Sequence, residues 1–157
     1  MKSKVLFVVE GKDEARILAD NRHGFLRLFD FDYEIVVFCN PIYELYQDYK
    51  NGVYDDLVSY LRYEKGLKID DNLLSSEAFS AVYLIFDFDS HYQKYSDMEI
   101  RDILNTFVDE TRLGKIYINY PMVEAFYHVK IFNDASYLDS KIDLLKYSGR
   151  KYKFLVN

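Results

Sequence analysis

The sequence predicts an α/β domain with a mainly parallel sheet of about four strands and helices on both faces. Three observations predict it. The runs VLFVV, IVVF and VYLIF are continuously apolar and rich in β-branched residues, the pattern of strands buried on both faces rather than the alternation of a half-exposed sheet. Segments with helical spacing separate them. The chain has 157 residues, half of them hydrophobic, which suits a single core.

Val5 to Val9 forms the first predicted strand, ending at Glu10-Gly11, and a helix over Lys12 to Phe29 follows, with Ala15, Leu18, Leu26 and Phe29 among its apolar positions. EIVVFCN, Glu34 to Asn40, is the second strand, closed by Pro41. Ile42 to Tyr63 has a helical pattern interrupted near Asn51-Gly52, and residues 64–80 are polar and irregular. AVYLIFDFD, Ala81 to Asp89, is the third strand. Asp97 to Thr111 is an amphipathic helix with Ser96 as its N-cap. Lys115 to Pro121 is the fourth strand, and Met122 to Phe132 another helix. No repeat or low-complexity linker divides the chain, so residues 1–127 read as one domain and residues 128–157 as a basic extension packed on or following it.

Charge narrows the function classes. The net charge of −6 disfavours a polyanion over the surface as a whole. It is segregated, however: residues 128–157 carry six Lys/Arg and three Asp, leaving −9 on residues 1–127. Cys39 is the single cysteine, so an intrachain disulfide is excluded; its place beside IVVF predicts a small buried thiol, and a reducing cytoplasm is the expected location. No run reaches the roughly 20 apolar residues of a membrane span, and the acids of MKSKVLFVVEGKDE come too early for a signal peptide. No membrane partner is expected.

The chemistry lies at the strand ends. In parallel α/β sheets ligands gather at the carboxyl ends of the strands. Glu10 ends the first strand; Asp87 and Asp89 end the third, on the same side of an extended chain, with Phe88 turned the other way into packing. A lone strand-end Glu is ordinarily a loop carboxylate, and an isolated D-x-D is ordinarily a turn. Together they make a different case, because two unit charges about 4 Å apart repel by about 4 kcal/mol at an effective dielectric near 20. Converging carboxylates must therefore be spread, protonated or neutralised. An all-oxygen ligand set suits Mg²⁺ or Mn²⁺, which keep waters and accept phosphate oxygens.

VVEGKDE followed later by LIFDFD resembles the TOPRIM domain, the Rossmann-like fold of topoisomerases, bacterial primases, rRNA-maturing nucleases and the OLD-type nucleases of phage defence. The likeness covers roughly residues 4–120. It implies that Glu10 is a general acid/base or metal ligand, that Asp87 and Asp89 coordinate Mg²⁺, that Gly11 permits a tight backbone turn, and that Glu14 is a second acid reaching the metal. The Glu10-to-Asp87 interval of 77 residues implies an insertion near residues 42–80. DFDSHYQ lacks the further acids of topoisomerases, and neither a transesterifying-Tyr domain nor a primase zinc motif is present. A small nuclease is what remains. NYPMVEAFYH is similar to a segment of RloB-like and PARIS-type defence effectors, which makes Glu124 a further ligand candidate and nucleic acid, DNA or RNA with tRNA among the options, the implied partner. An activating protein or self-association is a further expectation.

Other side chains have weaker claims. Lys12 could steady a phosphate, though Gly11-Lys12 lacks P-loop spacing. His91 follows the D-x-D, and His128 shares a helix face with Glu124. Arg150, Lys151 and Lys153, with Lys146, lie among Tyr147 and Tyr152, as in strands that grip nucleic acid by charge and stacking. Two alternatives stand: a non-catalytic TOPRIM-like scaffold that binds metal or a partner, and a D-x-D phosphatase, whose motif belongs on a first strand and would leave Glu10 without a role.

Overall fold

Leu6 and Val8 face one side of the first strand, and Val5, Phe7 and Val9 the other, and all five are buried. Such a strand must be covered on both faces. The computed structural model describes residues 4–19, 26, 30–89 and 96–120. It contains strands β1 (Lys4–Val9), β2 (Asp32–Val37), β3 (Ala81–Asp87) and β4 (Lys115–Asn119), and helices α1 (Lys12–Ala19), α2 (Ile42–Lys50), α3 (Leu57–Tyr63) and α4 (Asp97–Thr106). The four strands form one wholly parallel sheet in the order β2-β1-β3-β4. The fold class is α/β, and the arrangement is Rossmann-like.

The strand order explains where the helices go. From β1 the chain steps outward to β2, then returns across β1 to β3 and continues to β4. Crossovers between parallel strands keep one hand, so a reversal of direction moves the connecting helices to the opposite face. Leu18 and Ala15 of α1 accordingly pack with Val5, Phe7 and Val9. Helices α2, α3 and α4 cover the other face, where Ile42, Leu45, Leu57, Leu61, Ile103 and Phe107 pack against Leu6, Val8, Val82, Leu84 and Phe86. Each fully buried aliphatic of this kind stabilises by about 1.5–3 kcal/mol relative to exposure, so among the described residues this second layer carries most of the core.

Local signals act as the sequence predicts in several places. Ser96 caps α4, its hydroxyl accepting from the Glu99 N–H at 3.0 Å. The helical stretch Ile42 to Tyr63 breaks at Asn51-Gly52 into α2 and α3, and Gly52 takes a φ of 71°. Asp56 starts α3, accepting from Ser59 N–H at 2.9 Å and from Ser76 N–H at 3.0 Å. Helix α1 runs from Lys12 to Ala19, and most of the rest of the stretch predicted to reach Phe29 lies outside the described residues; α4 ends at Thr106 rather than Thr111, with Phe107 folding into the core. The helix predicted over Met122 to Phe132, the basic extension at residues 128–157 and His23 lie outside the described residues. None of the described helices is long and apolar enough to cross a membrane.

Cys39 departs from expectation. It is exposed rather than buried, because the chain leaves the sheet at Phe38 and Cys39 adopts φ 65°, the left-handed region. That conformation costs an L-residue roughly 1–2 kcal/mol. Cys39→Gly should therefore raise unfolding stability by about 0.5 kcal/mol, the relief being partly offset by the greater freedom of glycine when unfolded; a lower urea midpoint would contradict the strain. Gly114, just before β4, has φ 84°, and a Cβ there would lie 3.0 Å from Val82 Cγ1 and 3.3 Å from Leu84 Cγ. Gly114→Ala should lose about 2–4 kcal/mol in urea unfolding, since strain and overpacking add.

Candidate functional site

In a sheet whose chain direction reverses, the crevice at the carboxyl ends of the two strands flanking the reversal is where ligands bind. Those strands are β1 and β3, and Glu10 and Asp87 stand at their ends. The backbone of Glu10 is gripped from both neighbours. Its N–H donates to Ile85 C=O at 3.1 Å, and its C=O accepts from Cys39 N–H at 2.9 Å. Only its side chain retains freedom. The strained turn at Cys39 thus supplies the donor that completes this grip.

The Glu10 carboxylate is partly buried and accepts, through Oε2, the Asp87 N–H at 3.2 Å. Burial pushes its pKa up to about 7, and the charges of Asp87, Glu14 and Asp89 add to the rise, while the Asp87 amide opposes it. Four of the five carboxylates named from the sequence, Glu10, Glu14, Asp87 and Asp89, are therefore brought within electrostatic reach of one another at Glu10. Glu14 is buried, and its Oε2 accepts the Gly11 N–H at 3.0 Å. This is the reach-back half of a capping box: the third residue of α1 satisfies the amide that precedes the helix. Gly11 is required here by proximity, for a Cβ would stand 3.0 Å from Glu14 Oε2. Lys12 is exposed in the first turn of α1.

Asp87 closes β3 opposite Asn119 of β4, and Asn119 Nδ2 donates to Asp87 Oδ1 at 3.1 Å. The Asn119 C=O accepts the Phe88 N–H at 2.9 Å, so β4 holds the chain between the two aspartates. Phe88, half-buried and in neither core cluster, packs against the exposed Tyr120 with ring centroids 5.3 Å apart. Sequence reasoning missed Asn119. Its signal was available, a short amide side chain at the last position of the fourth strand, level with the first aspartate. Glu124, His91, His128, Arg150, Lys151 and Lys153 lie outside the described residues.

Among the described residues no three His, Cys, Asp or Glu side chains form a ready ligand shell. Glu10, Glu14 and Asp87 each accept a protein N–H, from the Asp87 amide, the Gly11 amide and the Asn119 side chain. The donor chemistry nonetheless fits Mg²⁺, which takes one or two carboxylates and completes its octahedron with waters and phosphate oxygens rather than an all-protein cage. Asp87 and Asp89 are the residues that would hold it, with the Glu10 carboxylate beside them.

A raised carboxylate pKa makes the folded chain bind a proton more tightly than the unfolded one, so the Glu10 contribution to stability is full below about 4.5 and lost as pH rises through about 7. The gap corresponds to about 3 kcal/mol, and partial exposure reduces it to about 2. Without divalent metal, Glu10→Gln should therefore gain stability over wild type at pH 8 and match it near pH 4.5. Urea midpoints whose difference stays constant across that range would show that Glu10 is not the titrating group.

Set against known proteins, the chain matches no family model, no curated protein and no solved structure.

Proposed function

We propose that this chain is a TOPRIM-type nuclease that hydrolyses nucleic-acid phosphodiesters with Mg²⁺ or Mn²⁺. The observation that supports the reading is the hold of the Asp87 amide on the Glu10 carboxylate at the reversal point between β1 and β3, with Asp87, Glu14 and Asp89 near enough for their charges to act on it. The raised pKa of Glu10 belongs to the metal-free chain; a bound cation would lower it and leave Glu10 an ionised base for the attacking water. When bound, the metal would polarise the scissile phosphate and lower the pKa of a water. Asp87 and Asp89 would anchor it. Glu10, with Oε2 held by the Asp87 amide, would exchange the proton of the attacking water at Oε1. Glu14 would act at one remove, through its charge on Glu10 and its hold on Gly11. The resemblance of NYPMVEAFYH to defence effectors favours a cytoplasmic antiviral role, with Glu124 as an added ligand and DNA or RNA, tRNA included, as substrate.

Thermal melting with and without millimolar Mn²⁺ tests the site directly. A metal that binds only the folded state stabilises by about 2.7 kcal/mol at a hundredfold excess over its Kd. Wild type should show a rise in Tm that Asp87→Asn abolishes, and metal-dependent cleavage of DNA or RNA should fall more than about 100-fold in that variant. A wild type unmoved by metal and inert on both nucleic acids would reject the nuclease reading and leave a partner-binding scaffold.

A further inference from the structure

The grip of β4 on the D-F-D segment has a consequence for the metal reading above, on which this inference rests. Asn119 touches that segment twice, through its C=O to the Phe88 N–H at 2.9 Å and through Nδ2 to Asp87 Oδ1 at 3.1 Å. The backbone contact would survive any side-chain substitution, because every residue carries the same carbonyl. The side-chain contact would not. Asp87 and Asn119 are direct partners in the parallel register of β3 and β4, so the amide meets the carboxylate without reaching.

The chemistry of the donor matters as much as its place. An ionised carboxylate has about four lone-pair sites, and one donor on Oδ1 fixes its rotation while leaving capacity for a cation. A Lys or Arg in that position would fix it equally well, yet it would place a positive charge beside the ion to be bound. A neutral amide aligns the anion without that repulsion. Carboxylates that bind metals are generally held by such outer hydrogen bonds, whose loss costs about 10- to 100-fold in metal affinity or activity.

We infer that Asn119 is a positioning residue for the metal centre: its side-chain amide orients Asp87 for coordination. It acts through Asp87 and is not itself a ligand or a catalytic residue. It also assigns β4 a part in the site beyond covering the edge of β3.

The test measures free Mn²⁺ by electron paramagnetic resonance during titration of the full chain, comparing wild type, Asn119→Ala and Asn119→Leu. Leucine keeps the branched heavy-atom shape of asparagine, in a larger volume, and lacks the donor, so it separates lost packing from the lost hydrogen bond. Both variants should bind Mn²⁺ about 10- to 100-fold more weakly than wild type, with metal-free melting temperatures close to wild type. Wild-type affinity in either folded variant would overturn the assignment while leaving the metal centre intact. Weakening in Asn119→Ala alone would also overturn it, because packing rather than the donor would then be responsible. A wild type that binds no Mn²⁺ would remove the metal centre and this inference together.

Discussion

The pairing of β1 with β3 is the constraint on which the remaining structure depends. Five residue pairs, Val5 with Ala81 through Val9 with Ile85, fix the register, and the next steps place the Glu10 carboxylate under the Asp87 amide. A slip of one residue would exchange the faces of both strands, exposing Leu6 and Val8 to the thin layer and turning Phe7 into the thick one. The same slip would part the carboxylates. Core packing and site geometry are thus specified by one set of contacts, and the helices follow: α1 goes to one face because β2 lies outward of β1, and α2 to α4 go to the other because the chain turns back.

A cluster of buried acid works against folding, and the local structure contains specific offsets. Glu14 has the Gly11 amide, Glu10 has the Asp87 amide, and Asp87 has the Asn119 side chain. Each is a neutral donor. Ion pairs occur elsewhere, as in Lys4 with Glu34 at 2.9 Å and Lys65 with Asp48 at 3.0 Å, both away from the strand-end edge. A neutral donor stabilises a carboxylate without cancelling its charge, so these three contacts leave the charge of the acids in place.

Continuous apolar runs made the strands legible, since Val5 to Val9 and Ala81 to Phe86 have no other place than a sheet covered twice. The places of Glu10, Asp87 and Asp89 at the strand ends were legible from the apolar runs that precede them, while any one of these acids alone reads as an ordinary loop or turn residue. Cys39 was misread because alternation says nothing about a residue that turns out of its strand with φ 65°. Asn119 was missed because its importance is a cross-strand property: it depends on β4 lying beside β3 in a register that pairs it with Asp87, and the sequence gives strand identity more readily than strand neighbours. Glu14 was legible as an acid near the site, but its capping of Gly11 depends on where α1 begins, the kind of boundary that patterns fix least well.

The distribution of rigidity suits the proposed chemistry. β1 and β3 are the two inner strands, hydrogen-bonded along both edges, and they carry the groups whose spacing must be held. β2 and β4 are the outer strands, yet each extends one bond past its ladder to pin the site: Cys39 N–H on Glu10 C=O, and Asn119 C=O on Phe88 N–H. A catalytic group tolerates little misplacement, since rates fall steeply with small errors in position. Building the reacting carboxylate on an inner strand and tying its backbone from both sides leaves only side-chain torsions to adjust when a phosphate arrives. Among the described residues most of the buried apolar side chains lie in the layer of α2, α3 and α4, and that store of burial lets a small domain carry a charged strand-end edge without surrendering its fold.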